Sequence, residues 1–298
     1  MGRTLQALFW LLSKLPRQTS QFIGRLLGRI NFFFKTRLYL ITQANLGLCF
    51  PELADSEREQ LARQSLLSTG QTLMEIPAVW LAKPQTLNAW IASVVNEELL
   101  DQVEDTSSGV ILLLPHIGNW ELLNVYFTRR GSFTALYQPP RQAYLRSIME
   151  DIRGKFGNEM VPTNVKGVAR LYRVLQEGGV VTILPDQVPA SGIYVPFFGI
   201  EALTDQLVSR LVNKTGASVV AVSIVRLKDG RFKIVFQPGD EDIYSTEIEV
   251  SVTGVNKTVE KLVRDVPEQY QWEYKRFRER PKGEKKVYRF GKSEEFHT

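Results

Sequence analysis

Val110, Ile111, Leu112, Leu113 and Leu114, followed directly by Pro115, His116, Ile117, Gly118, Asn119, Trp120 and Glu121, form the stretch that decides the fold. Five consecutive apolar residues after Ser107, Ser108 and Gly109 leave no polar face for water, so 110–114 reads as a strand buried on both sides. Sheets built of such strands are covered by helices, and in open α/β sheets ligands collect just past the strands' carboxyl ends. His116 stands at that point. Gly118 and Asn119 read as the start of a helix that carries Glu121, which offers one imidazole and one carboxylate to the same crevice.

Working outward, apolar strands at 110–114, 133–137, 179–184 and 218–225 alternate with helical spacing near 119–129, 142–156, 166–177 and 204–215. Residues 231–236, after Lys228, Asp229 and Gly230, read as a hairpin return strand, and 251–266 as a late helix. βαβ units suit this alternation best, so the expected fold class is α/β: a mixed central sheet covered by helices, with a helical N-terminal membrane-associating region. The first hundred residues read as mostly helix. Leu5, Leu8, Phe9, Leu12 and Leu15 keep a helical spacing that stops at Pro16, and Phe22, Ile23, Leu26, Leu27, Ile30, Phe33 and Phe34 keep another, punctuated by Arg25, Arg29 and Arg37. An apolar face beside an arginine face is the pattern of a helix lying in a membrane interface, although an ordinary packing helix has the same period. The first apolar stretch is too short for a bilayer span, which takes about 20 residues. Residues 55–82 read as one or two helices with a break or kink at Pro77, and Leu87, Trp90, Ile91 and Val94 continue the helical spacing. The organisation expected is amphipathic membrane-associating helices over 1–45 and a single domain over 46–298.

At 298 residues and 44% hydrophobic, the chain can bury a substantial core. Its 37 Lys and Arg against 32 Asp and Glu give a net charge of +5, which favours anionic partners such as a phospholipid surface, a phosphorylated substrate or an acidic carrier protein. Charge alone leaves nucleic acid open, but no motif assigns one. Cys49 is the sole cysteine, which excludes an internal disulfide and a Cys-based zinc site and suits a reducing, cytosol-facing compartment. Of the two histidines, His297 lies next to the last residue, so histidine chemistry rests on His116. Gly-x-Ser-x-Gly, Walker and Gly-x-Gly-x-x-Gly patterns are absent, and no carboxylate cluster suggests a metal.

Three motifs can carry chemistry. In the first, His116 is a general base and Glu121 bonds to its other nitrogen; the alternative is a capping Asn119 with Glu121 in the first helical turn, favoured there by the helix dipole. In the second, Val180–Leu184 ends at Pro185, Asp186 and Gln187, which hold a neighbouring loop or meet a substrate hydroxyl. The apolar Pro196, Phe197, Phe198 and Gly199 then either wall an acyl pocket or sit in the core. The third is the run Pro267 to Arg289, basic residues interleaved with aromatics, which either binds phosphate, membrane or RNA or is a solvated helix face anchored by Trp272. Arg141, Arg146, Arg153 and Arg210 are surface charges unless they point into the crevice.

The three motifs in this order resemble the late acyltransferases of lipid A biosynthesis, the lauroyl and myristoyl transferases of Gram-negative bacteria. The similarity runs over most of residues 20 to 285. It implies an enzyme at the cytoplasmic face of the inner membrane; relatives have an evident membrane span, but arginines interrupt every apolar run of this N-terminus, so the attachment expected here is peripheral or monotopic. Such an enzyme moves an acyl chain from acyl carrier protein, or coenzyme A, to a hydroxyl of a lipid A precursor or related glycolipid. No cofactor and no metal are implied; the thioester is a co-substrate. Carried over, His116 is the general base and Glu121 its orienter. Backbone amides near Gly118 and Asn119 are expected to meet the oxyanion, with Arg153, Asp186, Gln187 and Arg276 as further substrate contacts. Lys275 stands where the family often has arginine, which weakens a bidentate phosphate contact there. Rival readings keep the chemistry on a phosphatidylinositol mannoside, an ornithine-type or an aryl-polyene lipid, or reduce the fold to a membrane-surface binding module. The His116–Glu121 pair speaks against the last of these.

Overall fold

The computed structural model describes residues 2–104, 108–137 and 155–290. Five helices come first: α1 (Gly2–Ser13), α2 (Arg17–Phe33), α3 (Arg37–Cys49), α4 (Asp55–Leu81) and α5 (Pro84–Asn88). They are followed by β1 (Ile91–Val95), α6 (Glu98–Glu104), β2 (Val110–Leu113), α7 (Leu122–Phe127), β3 (Phe133–Tyr137), β4 (Glu159–Pro162), α8 (Val165–Gln176) and β5 (Val180–Ile183). The hairpin β6 (Ile193–Phe197) and β7 (Ile200–Thr204), then α9 (Leu207–Thr215), β8 (Ser218–Arg226), β9 (Phe232–Pro238) and α10 (Ile248–Asp265), complete the order. Seven strands make one sheet, ordered β1-β9-β8-β2-β5-β3-β4, and every neighbouring pair is parallel except β8 with β9.

β2 lies between β8 and β5, and all four of its residues are buried. Because side chains alternate across a strand, Ile111 and Leu113 join a core with Leu171, Leu175, Val212 and Val259 of α8, α9 and α10, while Val110 and Leu112 join a second core with Leu87, Leu100 and Leu123 of α5, α6 and α7. The unbroken apolar run is therefore a strand feeding two cores. The fold class and the hairpin return of β9 are as expected.

Several local expectations are corrected. Ile91 and Val94 lie on the edge strand β1, since pairing with β9 overrides their helical spacing. α4 runs through Pro77 without a break, and the helix that carries the motif is only Leu122–Phe127. Of the two places open to Phe197 and Phe198, an acyl-pocket wall or the core, they take the core, where they pack on Phe50, Trp272 and Phe277. Nor is the tail a solvated helix: Trp272, Arg276 and Phe277 are buried in an irregular segment. Most of the helix expected at 142–156 lies outside the described residues, as do Arg141, Arg146 and Arg153.

α2 packs backbone to backbone on α4. A Cβ on Gly24 would stand 2.4 Å from the Gly70 carbonyl oxygen, and one on Gly70 2.2 Å from that of Gly24, so neither position has room for a side chain. The opposite side of α2 leaves Phe22, Leu26, Ile30 and Phe33 exposed. Among the described residues, every exposed large hydrophobic except Val165 and Tyr244 falls within residues 8–81. No helix among them is long and apolar enough to cross a membrane.

Candidate active site

The register of the central strands sets the geometry. Leu113 of β2 pairs with Ile183 of β5, and three residues past each partner stand His116 and Asp186. The two strand ends have parallel sequences, Leu114-Pro115-His116 and Leu184-Pro185-Asp186, and leave the sheet side by side. The Asp186 carboxylate holds His116 by both ends: its Oδ2 accepts the His116 backbone N–H at 2.9 Å, and its Oδ1 lies 2.8 Å from the ring Nδ1. A carboxylate can only accept, so Nδ1 carries the proton and Nε2 keeps a lone pair as an acceptor. The side-chain amide of Gln187 donates to that lone pair at 3.2 Å. Burial alone would raise the Asp186 carboxyl, yet the imidazole and the His116 amide hold it below its usual value. Tyr270 is driven well above its usual value by burial and by the nearby Asp186 carboxylate.

This geometry corrects the role given to Glu121. Asp186, not Glu121, bonds the imidazole, because the two chain ends of adjacent parallel strands meet whereas Glu121 sits at the helix start. Glu121 caps α7 by position and faces the cavity beside His116, with Asn124 Nδ2 at 3.4 Å from its Oε2. Burial raises its carboxyl, opposed by the Trp80 indole and His116.

The amides of Gly118 and Asn119 are not oxyanion donors. The first donates to the Gln269 carbonyl at 2.9 Å and the second to that of Ile224 at 3.2 Å, so both are used to seat the loop. Gly118 takes φ +59°, and a Cβ there would stand 1.9 Å from the Ile224 oxygen, so the loop has room for glycine alone. Asn119 is fully buried and donates to Glu75 Oε2 at 3.0 Å. Behind it lies an ion pair: Arg226 donates to Glu75 from Nε at 2.9 Å and Nη2 at 2.6 Å, with Thr72 and Ser68 as further partners. Thr72 in turn donates to the Gly118 carbonyl at 2.9 Å. Arg276 also faces inward, donating to Leu203 O at 2.7 Å and Thr204 Oγ1 at 2.8 Å, where it clamps the β6–β7 hairpin rather than a substrate. Arg153 lies outside the described residues.

Three cavities among the described residues reach His116. One of about 360 Å³ is walled by Trp80, Leu123, Phe133, Phe156, Met160 and Leu184 and includes Glu121. A second, about 410 Å³, runs past Thr163, Thr182, Gln187, Val188, Pro189 and Asp205. The third, about 220 Å³, opens between α4 and residues 269–273. The Trp120 ring stands edge-on to the imidazole at 4.6 Å and fixes its plane. The sequence reading missed Trp120, Tyr270 and Glu273 as site residues; the matching Leu-Pro ends of β2 and β5 were the signal that pairs His116 with Asp186. Among the described residues, no group of three His, Cys, Asp or Glu side chains is placed to hold a metal ion.

A base with a fixed tautomer at the junction of three cavities can take a proton from one ligand while a second is held beside it. Residues 4–279 match a family model described as bacterial lipid A biosynthesis acyltransferase. The chain is similar to the lipid A biosynthesis lauroyltransferase of Escherichia coli K12, 28% identical over 278 residues that cover 92% of this chain and 90% of that protein. It is also similar to the palmitoleoyltransferase of the same pathway and strain, at 27% over 286 residues covering 94% and 91%. For the myristoyltransferase of that strain the identity is 24% over 271 residues, covering 90% and 82%.

Proposed function

The chain belongs to the bacterial lipid A biosynthesis acyltransferase family, and from that premise we propose that it moves a fatty acyl chain from a carrier thioester to a hydroxyl of a lipid A precursor. The observation that carries this reading is the His116–Asp186 pair, whose Nε2, met by the Gln187 amide, stands where three cavities meet. The acceptor hydroxyl displaces the Gln187 amide from Nε2 and gives its proton to His116, and Asp186 stabilises the imidazolium that forms. The alkoxide oxygen bonds to the thioester carbonyl carbon. When the tetrahedral intermediate collapses, the carbon–sulfur bond breaks and the leaving thiolate takes the proton back from His116. The products are an ester and a free thiol, with no cofactor and no metal in any step. The displaced Gln187 amide stays beside Nε2 and supplies an N–H donor to the developing oxyanion.

Acyl carrier protein is the donor we favour, because the chain's net charge of +5 suits an acidic carrier. The exposed apolar side chains of residues 8–81, with Arg25, Arg29, Lys35 and Arg37 among them, are proposed to lie on the cytoplasmic surface of the inner membrane. Purified protein is incubated with acyl carrier protein charged with lauroyl or myristoyl chains and with a tetra-acylated lipid A precursor. The expected result is the precursor gaining one chain by mass; no gain on this or a related glycolipid contradicts the reading.

A further inference from the structure

The cavities that meet at His116 reach surfaces of different chemistry. Where the smallest opens between α4 and residues 269–273, Leu38 and Leu73 are exposed and belong to the apolar surface of residues 8–81. The cavity of about 410 Å³ is lined by Val188 and Pro189, and there the C-terminal tail is fastened down. The Tyr274 hydroxyl accepts the Val188 N–H at 2.9 Å, and Arg278 Nη2 donates to the Val188 carbonyl at 3.4 Å. Further on, Arg280 donates to the Glu201 carbonyl at 2.5 Å and the Tyr288 hydroxyl donates to Asn45 Oδ1 at 2.6 Å. Residues 278–289, tied at these points, hold six arginines and lysines against two glutamates. Six against two leaves four net positive charges in twelve residues, where the whole chain has five. Lys282, Lys285, Lys286 and Arg289 are exposed and have no acidic partner among the described residues. No large hydrophobic side chain of this stretch is exposed.

We propose that this cationic stretch is the docking surface for the carrier protein of the acyl donor, whose acidic face lies on Lys282, Lys285, Lys286 and Arg289 while its thioester arm enters past Val188 and Pro189. This rests on the acyl-transfer reading above and adds the place where the donor binds. A surface of one charge sign steers an oppositely charged protein and sets its register, which a flexible arm aimed at one imidazole requires. A membrane fits the stretch less well. A segment lying in a bilayer interface presents apolar side chains beside its cations, as α2 does with Phe22, Leu26 and Arg25, whereas residues 278–289 present cations alone. A loose solubilising tail fits no better, because the segment is held to the β6–β7 hairpin through Arg280 and to α3 through Asn45. The two substrates then arrive by separate routes: the lipid past Leu38 and Leu73, the water-soluble carrier past Val188.

The probe is fluorescently labelled, lauroyl-charged acyl carrier protein, titrated by anisotropy against the full-length wild type and two triple variants, each checked for folding by its melting curve. One carries Lys282→Glu, Lys285→Glu and Lys286→Glu, the other Lys282→Gln, Lys285→Gln and Lys286→Gln. At low salt the glutamate variant is expected to bind the carrier about tenfold more weakly and the glutamine variant about threefold. Added salt weakens the wild type and leaves the glutamate variant little changed. In the transfer assay the carrier's KM rises with its Kd, while turnover of lauroyl N-acetylcysteamine, a thioester without a carrier protein, stays at the wild-type rate. Wild-type carrier affinity in either folded variant overturns the surface, as does an equal loss with the small thioester. Loss of binding to phosphatidylglycerol vesicles with carrier affinity unchanged also overturns it and assigns the stretch to the membrane. Lysine-dependent carrier binding by a wild type that acylates no lipid A precursor overturns the acyl-transfer reading instead.

Discussion

Two buried carboxylates flank the His116 loop, and the chain uses them in opposite ways. Glu75, behind the loop, receives four donors: Gln21 and the Arg226 Nε on Oε1, the Arg226 Nη2 and Asn119 on Oε2. Its lone pairs are filled, and the donors reach Glu75 on α4 from α2, β8 and the loop itself. Asp186, in front, receives the amide and the ring of His116, with the buried Tyr270 hydroxyl beside it, and the far side of that ring opens on three cavities. A saturated pair is scaffold; a pair whose partner keeps a lone pair held only by a displaceable amide can do chemistry.

The sharpest way to break this contrast is Arg226→Ala. It leaves Glu75 charged and unpaired in the interior, and the expected cost is about 3–5 kcal/mol in chemical denaturation. A loss below about 1 kcal/mol would mean that the ion pair does not hold the loop. Next in size, His116→Ala is expected to keep the wild-type melting curve while turnover falls about 100-fold, the contribution of a general base. Near-wild-type turnover would return His116 to an ordinary loop residue.

Glu273 belongs to neither class, and its pH dependence sharpens the comparison further. Its carboxyl titrates near 7 in the folded chain against 4.5 for the ordinary group. Below about pH 4.5 both states are protonated; between there and 7 the unfolded chain ionises first, so stability falls with rising pH, and above 7 the full penalty stands. Glu273→Gln removes the penalty. It should therefore gain about 1–2 kcal/mol above pH 7 and nothing below pH 4.5. An equal gain at both ends would show that the carboxyl is not held protonated by burial.

The strands were legible where the chain left no choice. β2 is apolar without interruption and β5 and β8 nearly so, broken only by Thr182 in β5 and by Ser218, Ser223 and Arg226 in β8, and Asp229 with Gly230 announces the return of β9. β1 and β4 were not, because both lie at the edges of the sheet and owe their conformation to β9 and β3 rather than to their own pattern. At the site, His116 stood out as the one histidine at a strand end. Its partner did not, since proximity in sequence pointed to Glu121 whereas the parallel pairing of β2 with β5 brings Asp186 from 70 residues away. The amides of Gly118 and Asn119 looked free for an oxyanion; their acceptors, Gln269 and Ile224, come from more than a hundred residues downstream. Glu273 was hidden among the basic and aromatic residues of the tail.

With only two histidines in the chain, the imidazole proton can be observed directly. Proton–nitrogen NMR of histidine-labelled protein should show one strongly downfield Nδ1–H from His116. Its signal should vanish in Asp186→Asn and persist in Glu121→Gln. Persistence in Asp186→Asn with loss in Glu121→Gln would contradict the pairing on which the proposed chemistry depends.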